Sequence, residues 1–262
     1  MKQKVFQIDA FTDKVFSGNP AAVCILDHWL DEWLMQRIAM ENNLAETAFV
    51  VRDGTRYQIR WFTPETEVDL CGHATLASAY VLFQYFDINS DTIEFYSPGS
   101  GKLSVEKGPD GYLTMDFPRD ETIEIEGSRE MVDAIGAVPV QSIKGKTDYL
   151  LIYSTQAEIE AMTPNFHLLN HLDCRGVIVS APGDEVDFVS RFFAPQSGIP
   201  EDPVTGSAHT TLTPYWAKTL GKTKLTARQL SARGGDLLCE DMGKRIKISG
   251  KAVPYLIGEI DL

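Results

Sequence analysis

The chain lacks most of the features that settle a function early. It holds four cysteines in 262 residues, Cys24, Cys71, Cys174 and Cys239, and no two form a CxxC pair. With no export signal ahead of them they read as reduced thiols rather than a disulfide framework or a zinc site. No apolar run approaches the roughly 20 residues of a membrane span. The segment from Met1 to Thr12 has Val5, Ile8 and Phe11 among polar residues, which is a strand pattern and not a signal peptide. Basic residues are few, 24 Lys and Arg against 37 Asp and Glu, for a formal charge of −13. They do not cluster, so nucleic acid and anionic membrane surfaces are excluded as partners. The expectation is a soluble cytoplasmic protein.

Cofactor and nucleophile signatures are missing too. There is no dinucleotide GxGxxG and no GxSxG nucleophile elbow. Gly101-Lys102 does not close a phosphate loop, because the glycine required five residues earlier is Tyr96. The pair reads instead as part of a hairpin between Asp91–Ser97 and Lys102–Glu106, turning at Pro98-Gly99-Ser100-Gly101. His167 and His171 are four apart, but with no HExxH glutamate or cysteine pair they do not make a metal motif.

What the chain does have is one passage twice. Arg60-Trp61-Phe62-Thr63-Pro64 runs through an acidic loop to Gly72-His73-Ala74-Thr75, and Arg191-Phe192-Phe193-Ala194-Pro195 runs through another to Gly206-Ser207-Ala208-His209. The offset between the arginines, 191 − 60 = 131, is half the chain. A single long-period repeat points to duplicated domains rather than a solenoid, with boundaries at 1–117 and 118–262 and the final strand able to return to the first domain. A 44% hydrophobic composition supplies core for both. In each copy a glycine opens an apolar helix, whose free amides and positive dipole end suit a carboxylate or oxyanion. Two such ends across a cleft would hold a small anionic metabolite.

Between these passages, Trp29–Leu44 reads as a helix with Leu30, Trp33, Leu34 and Ile38 on one face, and Leu44–Val51 as a strand with Leu44, Glu46, Ala48 and Val50 on one side. The run from His73 to Phe86 has no polar face and so predicts a helix buried all round. The run from Ser207 to Leu220 fits an amphipathic helix that Pro214 should kink or displace.

Glu46 interrupts an otherwise apolar strand face, the setting of a catalytic acid or base, against the alternative of a solvated strand end. His73 and Ser207 follow the two repeated glycines and could face a ligand or cap their helices. Asp202, before Pro203, could accept a hydrogen bond from a substrate hydroxyl or ammonium, or serve as a turn residue. Glutamate, histidine, aspartate and serine without a cofactor handle suit proton movement on an activated carbon acid.

Glu46, Leu70-Cys71-Gly72-His73-Ala74-Thr75 and Glu201-Asp202-Pro203-Val204-Thr205-Gly206-Ser207-Ala208 together resemble the phenazine-biosynthesis PhzF-like family. Gly18-Asn19-Pro20-Ala21-Ala22-Val23 and Ser231-Ala232-Arg233-Gly234-Gly235 extend the match over nearly the whole chain. The resemblance implies an α+β, diaminopimelate-epimerase-like fold: two similar tandem domains, each a curved mixed β-sheet or barrel around a central helix. It implies a cofactor-independent isomerase of a small carboxylate-bearing substrate, without metal, and a homodimer. The family's phenazine-pathway enzyme isomerises trans-2,3-dihydro-3-hydroxyanthranilate. Carried over by motif, Glu46 moves the proton, His73, Asp202 and Ser207 orient substrate or assist, and Gly72, Ala74, Thr205 and Gly206 bind it. Fold relatives that racemise amino acids use a cysteine at each helix start; here Cys71 precedes Gly72 but Thr205 precedes Gly206. An epimerase or racemase of a small amino or hydroxy acid is therefore the second reading, and a catalytically silent ligand-binding or interaction protein the third.

Overall fold

The computed structural model describes residues 2–86 and 88–262. Along the first part of the chain run β1 (Lys2–Ala10), β2 (Asn19–Leu26), α1 (Glu32–Asn42), β3 (Glu46–Asp53), β4 (Arg56–Phe62), β5 (Glu67–Val68), α2 (Gly72–Tyr85), β6 (Thr92–Ser97), β7 (Gly101–Lys107) and β8 (Leu113–Pro118). Next come β9 (Ile123–Ile125), α3 (Arg129–Ile135), β10 (Gln141–Lys144), β11 (Asp148–Ile152), α4 (Gln156–Ala161), α5 (Phe166–Leu169), β12 (Gly176–Pro182) and β13 (Phe188–Phe193). The chain ends with α6 (Ala208–Leu220), β14 (Lys224–Gln229), β15 (Gly235–Asp241), β16 (Arg245–Gly250) and β17 (Ala252–Asp261). Two compact units divide these elements, Met1–Asp116 with Ser249–Leu262, and Phe117–Ile248.

The duplication is visible strand by strand. In the first unit the order β17-β1-β2-β3-β4-β6-β7 pairs antiparallel, antiparallel, parallel, antiparallel, parallel and antiparallel. In the second, β9-β10-β11-β12-β13-β14-β15 repeats that sequence of pairings. The strand that leads the second copy, β9, comes just before it in the chain, whereas its counterpart β17 arrives from the C-terminus. That permutation is why residues 249–262 belong to the first unit.

Sheet wraps helix as the composition of α2 demands. His73, Ala74, Leu76, Ala77, Ala79, Val81 and Leu82 are all buried, and α2 packs on β1, β2, β3, β7 and β17. A helix with no polar face has no stable position except inside such a wrap. The other side of the sheet is covered by α1, whose Met35, Ile38 and Ala39 meet Cys24, Leu26, Phe49 and Val51. Strands β2 and β3 are thus buried on both faces and read as continuous apolar runs. The entry to β2 needs Gly18: its φ is +67° and a Cβ there would lie 2.2 Å from the Ala10 carbonyl oxygen.

Two details of the sequence reading change. The helix α1 begins at Glu32, so its buried face is set by Met35, Ile38 and Ala39 and leaves Trp33 60% exposed. Leu44 does not share a strand face with Glu46. Asn43 in the left-handed region (φ 48°) turns the chain before β3 starts, and Leu44 packs against the α1 cluster.

In the second unit α6 packs on β11, β14 and β15. Trp216 stacks on Phe188 with an interplanar angle of 6°, and its indole N–H donates to Ser180 Oγ at 2.9 Å. Pro214 sits inside the helix without ending it. The carbonyl it leaves unbonded is that of Thr210, which accepts instead from the Asp120 N–H at 3.4 Å, while Thr211 Oγ1 donates to the Asp120 carboxylate at 2.8 Å.

Candidate active site

The repeated arginines do the same job in each copy. Arg60 Nε donates to Glu67 at 2.6 Å and its guanidinium lies 5.2 Å over the Phe62 ring. Arg191 Nε donates to Glu201 at 2.7 Å and lies 4.9 Å over Phe193. Each ties the acidic loop back to the strand before it and so fixes the start of the following helix. Glu201 in the second motif is therefore a structural ion-pair partner.

In the first unit those constraints bring Glu46 and His73 together. Glu46 is the first residue of β3 and His73 lies in the first turn of α2, with side chains 13% and 6% exposed. His73 Nε2 is 3.1 Å from Glu46 Oε2, an ion-pair distance. The approach is off the hydrogen-bond direction, so neither atom has an aligned partner. Coulomb attraction has no such angular requirement and is what couples the pair. On the other side of the ring, Nδ1 lies 3.5 Å from Cys71 Sγ.

Burial opposes a charge on His73, but the neighbouring Cys71 sulfur and the Glu46 carboxylate outweigh it and hold its pKa well above the ordinary imidazole value. Burial, reinforced by the Glu46 charge, pushes the Cys71 thiol up to about 11. At neutral pH that sulfur is a neutral thiol, and the acidic side chain at ion-pair distance from His73 is Glu46.

The donor atoms of Glu46, Cys71 and His73 lie within 4.8 Å of one another, the usual spacing of a metal-ligand group. They do not converge on one point. The imidazole turns Nδ1 to sulfur and Nε2 to carboxylate, and an ion bound at about 2 Å from one ring nitrogen has the ring between it and the remaining donor. The line Cys71–His73–Glu46 fits a proton path better than a chelate. His171 Nδ1 is occupied by the His167 carbonyl at 2.7 Å.

The Thr75 hydroxyl donates to the Cys71 carbonyl at 2.6 Å and holds the first turn of α2. Among the described residues, the Gly72 and His73 amides have no backbone acceptor. The Ala74 amide faces the Cys71 sulfur, and its side chain is in the core.

The second unit organises the other expected residues. Thr205 Oγ1 donates to Asp202 Oδ2 at 2.6 Å and the Thr205 amide donates to Gln229 Oε1 at 2.8 Å. Gln229, fully buried, donates in turn to the Asp202 carbonyl at 2.7 Å. Thr205 and Gln229 thus position Asp202 and the loop. Ser207 is in helical conformation (φ −63°, ψ −34°) and makes no capping bond. Its Oγ accepts from Arg175 Nη2 at 3.0 Å. Arg175 is itself clamped by Asp148, through Nε–Oδ1 at 2.8 Å and through Nη2 to Oδ2.

Arg175, Asp148 and Gln229 escaped the sequence reading. The duplication supplies the signal that could have found two of them. In the sheet registers Thr47 pairs with Phe62 as Val177 pairs with Phe193, and Ala21 pairs with Glu46 as Asp148 pairs with Gly176. Glu46 therefore corresponds to Gly176, Ala45 to Arg175 and Ala21 to Asp148. At Gly176 a Cβ would lie 2.4 Å from the Phe192 ring.

The duplicated α+β scaffold is the fold of a class that includes isomerases and epimerases. Within that class the chain belongs to the phenazine biosynthesis-like family, whose PhzC-PhzF model matches residues 8–258. It is 51% identical over 263 residues to an uncharacterized isomerase of Pseudomonas aeruginosa, covering 100% of both chains. A PhzF-family phenazine biosynthesis protein from Enterococcus faecalis superposes with a TM-score of 0.97 at 47% identity, each chain covered in full. A hydroxyproline epimerase from Agrobacterium vitis shares the fold at a TM-score of 0.62 and 8% identity, covering 100% of this chain and 93% of its own. Among the described residues no helix is long and apolar enough to cross a membrane.

Proposed function

We propose that this protein is a cofactor-independent isomerase that moves a proton on a small carboxylate-bearing substrate by general acid/base catalysis. The observation that carries the reading is the Glu46–His73 pair: a buried imidazole and a partly buried carboxyl group, 3.1 Å apart, each with a buried atom that has no aligned hydrogen-bond partner. Glu46 takes a proton from an acidic substrate carbon and becomes neutral. The protonated His73 stabilises the negative charge that develops on the substrate as the bond to hydrogen breaks. The proton then returns from the same pair to another carbon, which isomerises the substrate.

Return to the same carbon from the opposite face would instead be epimerisation, and that outcome needs a second acid on the far side. The divergence of the second copy favours isomerisation over a two-thiol racemisation: Thr205 stands where Cys71 does, and Gly176 where Glu46 does. The chemistry of Glu46 and His73 requires no metal.

The test is incubation of the protein in D2O with a panel of small amino, hydroxy and unsaturated carboxylic acids, with mass spectrometry for deuterium on carbon. The expected result is exchange into at least one acid with the wild type and none with Glu46→Gln. Exchange that persists unchanged in Glu46→Gln places the base elsewhere.

A further inference from the structure

The second copy of the duplication has exchanged two alanines for a charged pair, and the pair is built around Ser207. Asp148, 3% exposed, takes the Nε and one Nη2 hydrogen of Arg175, and the Phe192 ring lies 5.3 Å from the guanidinium carbon. The second Nη2 hydrogen goes to Ser207 Oγ at 3.0 Å. A guanidinium has five N–H donors; three are accounted for, and among the described residues both hydrogens on Nη1 have no partner. The arginine side chain is 39% exposed, so these donors are accessible.

The consequence for Ser207 is directional. With Oγ acting as acceptor toward Arg175, its single O–H must point away from the guanidinium, and among the described residues no side-chain or backbone acceptor takes it. Beside it, the amides of Gly206 and Ser207 have no backbone acceptor among the described residues. A fixed cation with two spare donors, an oriented hydroxyl and two amides lie together here, with the Asp202 and Asp120 carboxylates close enough to act on the same guanidinium. The corresponding positions of the first copy, Ala21 and Ala45, can supply none of the charge.

We propose that Arg175 is a specificity-determining and positioning residue: it orients the Ser207 hydroxyl outward and, through Nη1, selects a carboxylate over a neutral isostere at the second unit. The proposal rests on the isomerase reading for its substrate class, but not for its test. Asp148 has the matching role of holding the guanidinium plane, which a lysine in place of Arg175 could not preserve.

The experiment is calorimetric titration of the full-length protein with benzoate and, as the uncharged control, benzamide. The wild type is expected to bind benzoate at least about tenfold tighter than benzamide, the scale of one charge-assisted hydrogen bond. Arg175→Met should remove that preference, and Arg175→Lys should retain only part of it. Because Arg175→Met leaves Asp148 buried without its partner, the double variant Arg175→Met/Asp148→Asn is measured beside it, with circular dichroism as the check on folding. Loss of the preference in the folded double variant supports the proposal. A preference that survives there, or none in the wild type, overturns it. Failure of deuterium exchange with an Arg175-dependent preference defeats only the isomerase. Glu46-dependent exchange with no effect of Arg175 on carboxylate preference defeats only the role of Arg175.

Discussion

His209 should make the second unit acid-sensitive by an amount the structure allows one to work out. Its side chain is fully buried in the first turn of α6, 5.9 Å from the Phe188 ring. Its Nδ1–H donates to the Thr205 carbonyl at 2.8 Å, and Nε2 has no partner. Burial lowers its pKa from 6.5 to about 4, against a smaller opposing effect of the Thr205 carbonyl. The unfolded chain takes up the proton near 6.5 while the folded protein resists until about 4. Between those values the unfolded state holds more protons, so stability is complete above the unfolded pKa and falls as the pH drops. Two and a half pH units at about 1.36 kcal/mol each give a full loss of roughly 3 kcal/mol, of which about 2.5 kcal/mol is gone by pH 4.5.

The assay is urea unfolding at steps from pH 7.5 to 4.5, comparing wild type with His209→Gln. Glutamine can still donate to the Thr205 carbonyl but does not titrate, so the difference between the two curves isolates the imidazole from every carboxylate in the chain. The stability advantage of wild type over variant should shrink by about 2.5 kcal/mol between pH 7.5 and 4.5. A difference that stays flat to within about 0.5 kcal/mol refutes the assignment of a neutral, desolvated His209.

Glu46→Gln should lower exchange into an accepted substrate by about 10²- to 10⁴-fold with little loss of affinity, read as kcat against KM. Activity should also fall on the alkaline side, as the pH rises through the elevated pKa of His73 and the imidazolium is lost. The stabilisation that ion pair contributes is present below the unfolded histidine value and disappears over the same alkaline rise. Cys71→Ser should retain most activity, since the thiol is neutral at working pH; an inactive but folded Cys71→Ser with an active Glu46→Gln would replace the carboxylate mechanism with a thiol one. Native protein at pH 7.5 should react slowly with Ellman's reagent and first at Cys174, because Cys24, Cys71 and Cys239 are all buried; immediate reaction of all four thiols would contradict the packing.

The parts of this fold legible in the sequence were those whose pattern is local. The hairpin around Pro98–Gly101 and the polar-free helix α2 announce themselves by turn chemistry and by apolar periodicity. Strand β2 did not, because a strand buried on both faces does not alternate, and its apolar run Ala21–Leu26 directly after a turn resembles loop and helix equally. Glu46 could be read as a candidate because a charge on an apolar strand face is anomalous wherever it occurs. Arg175 could not: a charged residue just outside a strand is ordinary, and only the pairing of β11 with β12 puts Asp148 beside it. Ser207 shows the same limit. A serine at a helix start most often caps, whereas here Ser207 is already helical and its Oγ accepts from an arginine 32 residues earlier in the chain.

Duplication also explains why the two helix starts can specialise. A symmetric pair of sites would offer the same groups twice, which suits removing a proton from one face of a carbon and adding it to the other. The two copies here retain the arginine–glutamate tie behind each loop and the glycine at each helix, and differ in the side chains proposed to face a ligand. Carboxylate, imidazole and thiol stand in the first copy; glycine, serine and threonine occupy those places in the second, where Asp148 and Arg175 have been added. A carboxylate at position 176 is blocked sterically, since even a Cβ there meets Phe192 at 2.4 Å. Restoring symmetry through Gly176→Glu should therefore destabilise the second unit rather than create a second base. A comparison of urea midpoints for Gly176→Glu, Gly176→Ala and wild type measures this. The steric argument requires alanine alone to cost at least about 1–3 kcal/mol, the usual penalty of overpacking a core. An alanine variant as stable as wild type would show that the second copy lost its carboxylate for a reason other than space.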